Sequence, residues 1–244
     1  MTILDTIYQY KQHELDQQLQ PQRDFAAALR SATGLAVIAE FKQASPSAGM
    51  IRTGAVLANI VTQYYQGGAR ALSILTDQHF FQGQLDYINQ AKQAVPLPVL
   101  RKDFIFHPFQ VYESKLAGAD AILLIAAKLT GPQLQQLVAL AHSLGLQTLV
   151  EIHTTTEVDR AIACQPTMFG VNARNLHTMI IDLHTIARIV PLLPSSSLIV
   201  FESGITSRAD VAYVRQAGVK AILIGTTLMQ AEHPQLALEQ LIEA

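Results

Sequence analysis

Five short apolar stretches of this chain carry charged or amide side chains where a buried segment should have none. They are Glu40 and Lys42 in AVIAEFK (36–42), Lys102 in PVLRKDF (98–104), Glu151 and His153 in QTLVEIH (147–153), Asn172 and Arg174 in MFGVNAR (168–174), and Glu202 in LIVFES (198–203). Any one of them alone reads equally as a structural ion pair. Three carboxylates and three cations (Lys42, Lys102, Arg174) together are another matter, because each costs several kcal/mol to desolvate unless the set pairs them or a ligand does. Such an array can also drive pKa values apart and leave an ammonium donor beside a carboxylate acceptor near neutrality. Acid–base chemistry is the expected use. A second feature suits an anion: Ser203-Gly204-Ile205 and Gly225-Thr226-Thr227 are glycine-bearing turns whose backbone N–H groups can approach phosphate oxygens.

The elements that must position these groups follow from the apolar pattern. Eight runs rich in Val, Ile and Leu recur at 36–42, 71–77, 98–104, 121–127, 147–153, 168–174, 198–203 and 221–227. Between them lie helix-spaced stretches, such as 56–68, 108–119, 131–145 and 207–219. Regular strand–helix alternation implies parallel pairing, and eight units in 244 residues predict a closed (β/α)8 barrel, with a doubly wound open sheet as the alternative. GGARALSILTD, AGADAILLIAA and AGVKAILIGTT repeat one helix-end-to-strand unit, which favours the symmetric barrel. Residues two apart on a strand share a face, so Ile38, Glu40 and Lys42 align, as do Leu100, Lys102 and Phe104. The same holds for Leu149, Glu151 and His153, for Gly170, Asn172 and Arg174, and for Val200 and Glu202. Each polar group falls near the C-terminal end of its strand, where barrels of this class carry their catalytic residues. The glycine turns follow strands seven and eight, a usual phosphate position. Residues 1–244 are expected to form one barrel domain, in which about residues 3–30 are an N-terminal helical extension, interrupted by Pro21 and able to lie across one mouth.

Composition narrows the classes. A net charge of −2 argues against a nucleic-acid or anionic-membrane partner, and a charged fraction of 15% beside 50% apolar residues argues against a disordered or coiled-coil protein. The single cysteine, Cys164, excludes an internal disulfide and reads as a packed small hydrophobe. The amphipathic start lacks the apolar run of a signal peptide or membrane span, so a cytoplasmic location is expected. No dinucleotide, Walker or nucleophile-elbow motif occurs, and the eight histidines do not cluster at metal spacing. Glu151 and His153 could chelate from one strand but lack a second pair of ligands, so no metal is expected. Asp77 and Asp103 read as turn or helix-capping residues.

In the order IAEFKQASPSAGMI, LTDQHFFQG, PVLRKDF, LLIAA, LVEIH, FGVNARNL, ESGI and LIGTTLM, the chain resembles the indole-3-glycerol-phosphate synthase family over nearly its whole length. The resemblance implies cofactor-free ring closure, decarboxylation and dehydration of 1-(2-carboxyphenylamino)-1-deoxyribulose 5-phosphate. It implies Lys102 as general acid at the ketone oxygen and Glu151 as the acid/base partner in dehydration. Lys42 would meet the anthranilate carboxylate, and Glu40 would move a proton or orient the lysines. Asn172, Arg174 and Glu202 would hold the hydroxyls and the charged network, while Ser203, Gly204, Gly225 and Thr226 would bind phosphate. Ser45, Phe81 and Phe104 would form the loop and wall around the anthranilate ring. Gln43 and Ala48 stand where the family usually has basic residues, Phe201 where a small residue is common, and the linker before Phe25 is shorter than usual. Another phosphosugar barrel, such as phosphoribosylanthranilate isomerase, and a non-catalytic phosphate-binding barrel remain alternatives at this level. The sequence assigns no oligomeric partner.

Overall fold

A computed structural model describes residues 3, 5–7, 22–175 and 178–242. Eight parallel strands close on themselves: β1 (Ala36–Phe41), β2 (Ala71–Leu75), β3 (Val99–Lys102), β4 (Ala121–Ile125), β5 (Gln147–Ile152), β6 (Met168–Asn172), β7 (Ile199–Glu202) and β8 (Ala221–Ile224). Each pairs with its sequence neighbours, and β8 closes on β1 through Ala36 opposite Ala221. The open-sheet alternative is thereby removed. Every strand stops one to three residues short of its apolar run at the C-terminal end. Those excess residues turn away into the loops where polar groups gather.

The period-2 alternation divides the apolar residues between two cores. Val37, Ala39, Leu72, Val99, Ile122 and Val150 face the surrounding helices, whereas Ile38, Leu100, Leu149 and Val200 fill the barrel interior. These four come from β1, β3, β5 and β7, as expected when alternate strands supply one interior layer. Two residues further along the same strands stand Glu40, Lys102, Glu151 and Glu202. The apolar layer is therefore the floor beneath a charged one.

The opposite mouth is plugged. Helix Phe25–Arg30 begins at Asp24, whose carboxylate accepts from Ala27 N–H at 2.8 Å and from the Gln147 amide at 2.9 Å. Phe25, Ala26 and Leu29 pack on Ala36, Ala71, Ala121 and Ala221, the first residues of β1, β2, β4 and β8. Alanines at these starts leave the room the helix fills. Upstream of it, the Arg23 guanidinium donates to the carbonyls of Lys92, Val95 and Leu97 at 2.6–2.9 Å, and Asp120 accepts from Arg23 N–H and Lys92 Nζ, both at 2.7 Å. Pro21 and the linker before it lie outside the described residues. No helix among the described residues is long and apolar enough to cross a membrane.

Candidate active site

Glu40, Lys102, Glu151 and Glu202 form the top layer of the barrel interior. Lys102 Nζ stands 3.5 Å from Glu151 Oε2 and 3.8 Å from Glu202 Oε2. Lys42, one residue past β1, reaches back to Glu40 Oε1 at 2.8 Å, and Ser73 on β2 donates to Glu40 Oε2 at 3.2 Å. The intervening strands supply small residues at this level. A Cβ on Gly170 of β6 would sit 2.4 Å from Glu202 Oε1, and one on Gly225, just after β8, 2.4 Å from Glu40 Oε1 and 3.0 Å from Lys42 Nζ. Charges from odd strands thus occupy space left by Ser73, Gly170 and Gly225. Ser73 and Gly170 were not read as site residues in the sequence, although a glycine inside an apolar strand is itself a sign of close approach.

Burial and pairing pull the titrations apart. Burial disfavours the ammonium of Lys102, but Glu151, Glu202 and Glu40 outweigh it and hold the amine protonated well above its usual range. Burial raises the Glu40 carboxyl, and Lys42 and Lys102 reverse this, so it stays ionised. The coupled pair Glu151 and Glu202 splits. Burial acts upward on both, yet Lys102 and His153 keep Glu151 below the carboxylate range, while the Glu151 charge adds to burial and lifts Glu202 well above it. Of the two, Glu202 is the carboxyl that takes up a proton more readily.

The other expected residues are placed as follows. Asn172 ends β6 opposite Glu202, with its amide oxygen accepting from Arg174 N–H at 2.9 Å. Arg174 does not join the inward array: β6 has ended, and its guanidinium donates to the Met179 carbonyl at 3.4 Å. Ser45 lies in the hairpin Ala44–Ser45/Gly49–Met50, where its hydroxyl accepts from Ala48 N–H at 3.2 Å. Phe81 and Phe104 meet across the β2 and β3 loops with ring centroids 6.1 Å apart. Ser203 and Gly204 adopt consecutive positive φ angles of 70° and 85°, a backbone cost of about 1–3 kcal/mol at the serine. Gly225 precedes the short helix Thr226–Gln230, and the Thr227 hydroxyl donates to the Ile205 carbonyl at 2.7 Å, tying the two turns together.

Several non-catalytic readings acquire specific partners. Asp77 caps the helix Gln78–Phe81 by accepting from Phe80 and Phe81 N–H. Asp103 caps no helix; it pairs with Arg101 at 3.0 Å and accepts from the Thr76 hydroxyl, while His107 caps the helix that follows. Asp103 keeps the turn reading, accepting from Phe104 N–H at 2.8 Å, while its other oxygen serves Arg101, which points outward from β3. Gln43 donates to the Tyr87 hydroxyl at 3.0 Å, and Phe201 is fully buried in the outer core. Cys164 is buried with its thiol pushed up to about 11, so it is no thiolate nucleophile at neutral pH. Among the described residues no group of three or more His, Cys, Asp or Glu could hold a metal ion. A cavity of about 340 Å³ opens beside the ring rather than over Lys102, lined by His153, Thr154, Asn172, Asp182 and Arg188 among others.

A closed parallel barrel with a paired acid–base layer at its C-terminal mouth defines a (β/α)8-barrel enzyme. Residues 4–241 match the family model described as indole-3-glycerol phosphate synthase, and the chain belongs to that family. It is 49% identical over 222 residues to the indole-3-glycerol phosphate synthase of Polaromonas naphthalenivorans (strain CJ2), covering 90% of this chain and 84% of that protein. It is 47% identical over 222 residues to the protein of the same name from Burkholderia vietnamiensis (strain G4 / LMG 22486), covering 90% and 85%. A solved structure of 3-hexulose-6-phosphate synthase from Salmonella typhimurium aligns with a TM-score of 0.69 at 13% identity, over 85% of this chain and 96% of that one. At that identity the likeness speaks to fold alone.

Proposed function

We propose that the chain converts 1-(2-carboxyphenylamino)-1-deoxyribulose 5-phosphate to indole-3-glycerol phosphate with loss of carbon dioxide and water. The observation that carries this reading is Lys102, a partly buried ammonium held between Glu151 and Glu202 beside the Glu40–Lys42 pair. Lys42 and Lys102 set two ammonium groups at the mouth, where an anionic substrate is drawn to them.

Lys102 donates to the ketone oxygen as the carboxylate-bearing aryl carbon attacks the carbonyl carbon, so the oxygen becomes a hydroxyl rather than an alkoxide. Lys42 holds the carboxylate until carbon dioxide departs and its electron pair restores the ring. In the dehydration Lys102, reprotonated from solvent, gives a proton to the hydroxyl, which leaves as water, and the ionised Glu151 accepts the proton lost from the neighbouring carbon. Glu40 orients Lys42. Asn172 engages the hydroxyls from the end of β6 and Arg174 from the loop beyond it, Glu202 holds the charged network with Lys102, and Ser45, Phe81 and Phe104 enclose the anthranilate ring. Ser203, Gly204, Gly225 and Thr226 hold the phosphate through backbone N–H groups and hydroxyls. The reading includes a single barrel domain over 1–244, supported by strands that span 36–224, and a cytoplasmic location, supported by a single, free cysteine.

The test is a pair of substrates. Given the carboxyphenylamino compound without metal or cofactor, the protein is expected to release carbon dioxide and indole product one to one. Consumption of phosphoribosylanthranilate in its place would transfer the site to the isomerase reaction. Gly170→Ala is expected to displace the Glu202 carboxylate and lower kcat by about 10²-fold, since misplacement of order 1 Å has that effect. Steady-state kinetics beside a melting curve checks this; unchanged kcat would mean that Glu202 has room to move.

A further inference from the structure

The mechanism leaves unused the side chain behind Glu151. His153 follows it by two residues at the end of β5, nearly buried, with Nε2 3.1 Å from Glu151 Oε1 and Nδ1 3.8 Å from Glu157 Oε2. Glu157 closes the turn Thr155–Glu157 and is itself fixed, accepting from His153 N–H at 2.8 Å and from the Thr154 hydroxyl at 2.9 Å. Both ring nitrogens are buried and lack well-aligned hydrogen bonds, so the hold is chiefly electrostatic. A neutral imidazole would turn a lone pair toward one of these carboxylates, whereas the doubly protonated ring attracts both. Burial lowers the ring's affinity for a proton, and Glu151 and Glu157 reverse this to about 9. Beyond Glu151 lie Lys102 and Glu202, and the charged groups lining the adjoining cavity, Asp182 and Arg188, are already paired at 2.7 Å.

We propose that His153 is a positioning residue for the reaction: an imidazolium braced by Glu157 that holds Glu151 Oε1, keeps that carboxylate ionised and leaves Oε2 to Lys102 and the substrate. This rests on the acid/base role given to Glu151 above. The relation is one of orientation and charge, and His153 touches no reacting atom.

The test compares wild type, Glu151→Gln, His153→Gln and Glu157→Gln in the indole-forming assay across pH. His153→Gln is expected to lower kcat about 10- to 100-fold, a part of what an acid–base group contributes, with KM changed little. Loss of the cation releases Glu151 upward, so the acid limb of the kcat profile moves to higher pH, by about one unit. Glu157→Gln shifts the limb in the same direction, and adding it to His153→Gln costs little more, because the two act in series. Nitrogen-15 spectra of the wild-type imidazole at pH 7 are expected to show both nitrogens protonated, a readout that needs no variant to fold. A neutral ring at pH 7 overturns the proposal. So does a His153→Gln protein whose acid limb is unmoved while Glu151→Gln is inactive, even where its melting temperature falls. Full turnover by Glu151→Gln overturns the role of Glu151 and, with it, that of His153.

Discussion

Lys102→Ala is expected to lower kcat/KM for indole formation by about 10³-fold while the barrel stays folded, the scale of removing a positioned general acid. The lysine is the only side chain that reaches both Glu151 and Glu202 among the ion pairs of the described residues, at 3.5 and 3.8 Å. Without it the ketone oxygen loses its proton donor, and the ring carbon must attack a carbonyl whose developing charge is less well stabilised. The two carboxyls also lose one of their counter-charges, so the pair takes up protons more readily, with His153 left as the cation beside Glu151. Arginine is not a conservative rescue, because a guanidinium neither fits an ammonium-sized site nor gives up its proton. Steady-state kinetics with far-UV circular dichroism checks the result, and activity near wild type would take Lys102 out of the acid role.

Asp120→Ala should act on stability instead. Asp120 is buried at the N-terminal mouth and accepts from Lys92 Nζ at 2.7 Å, Arg23 N–H at 2.7 Å and Val99 N–H at 2.8 Å. Its removal strips a fully buried ammonium of its carboxylate and leaves two backbone donors short of an acceptor. Breaking such a pair costs about 3–5 kcal/mol. For a chain of this size that corresponds to a fall in Tm of roughly 6–20 °C. The C-terminal mouth lies at the other end of the strands, so kcat well below the new Tm is expected to stay near wild type. A loss of turnover without a loss of Tm would contradict this separation of the two mouths.

What the sequence reveals about the site depends on how local each signal is. Glu40, Lys102, Glu151 and Glu202 were legible because strand alternation links each to an apolar residue two positions earlier, Ile38, Leu100, Leu149 and Val200. Eight apolar runs in helical alternation gave the barrel for the same reason. Arg174 lies past the reach of the alternation, because β6 ends at Asn172. Ser73 and Gly170 went unread because their roles, holding Glu40 and making room for Glu202, exist only across strand boundaries. Glu157 was hidden likewise, since a turn returns it to His153. The staple of Arg23, Lys92 and Asp120 joins residues up to 97 positions apart, and no local pattern announces it.

The central claim is that the charged layer at the C-terminal mouth turns over the carboxyphenylamino-deoxyribulose phosphate. Its most direct measurement is continuous indole fluorescence from wild type and Lys102→Ala side by side, in a chelating buffer free of cofactors. The chain contains no tryptophan, so background is low. Sustained fluorescence from wild type and near darkness from the folded variant is the predicted result. Equal rates from both proteins, or no product from folded wild type, would contradict it.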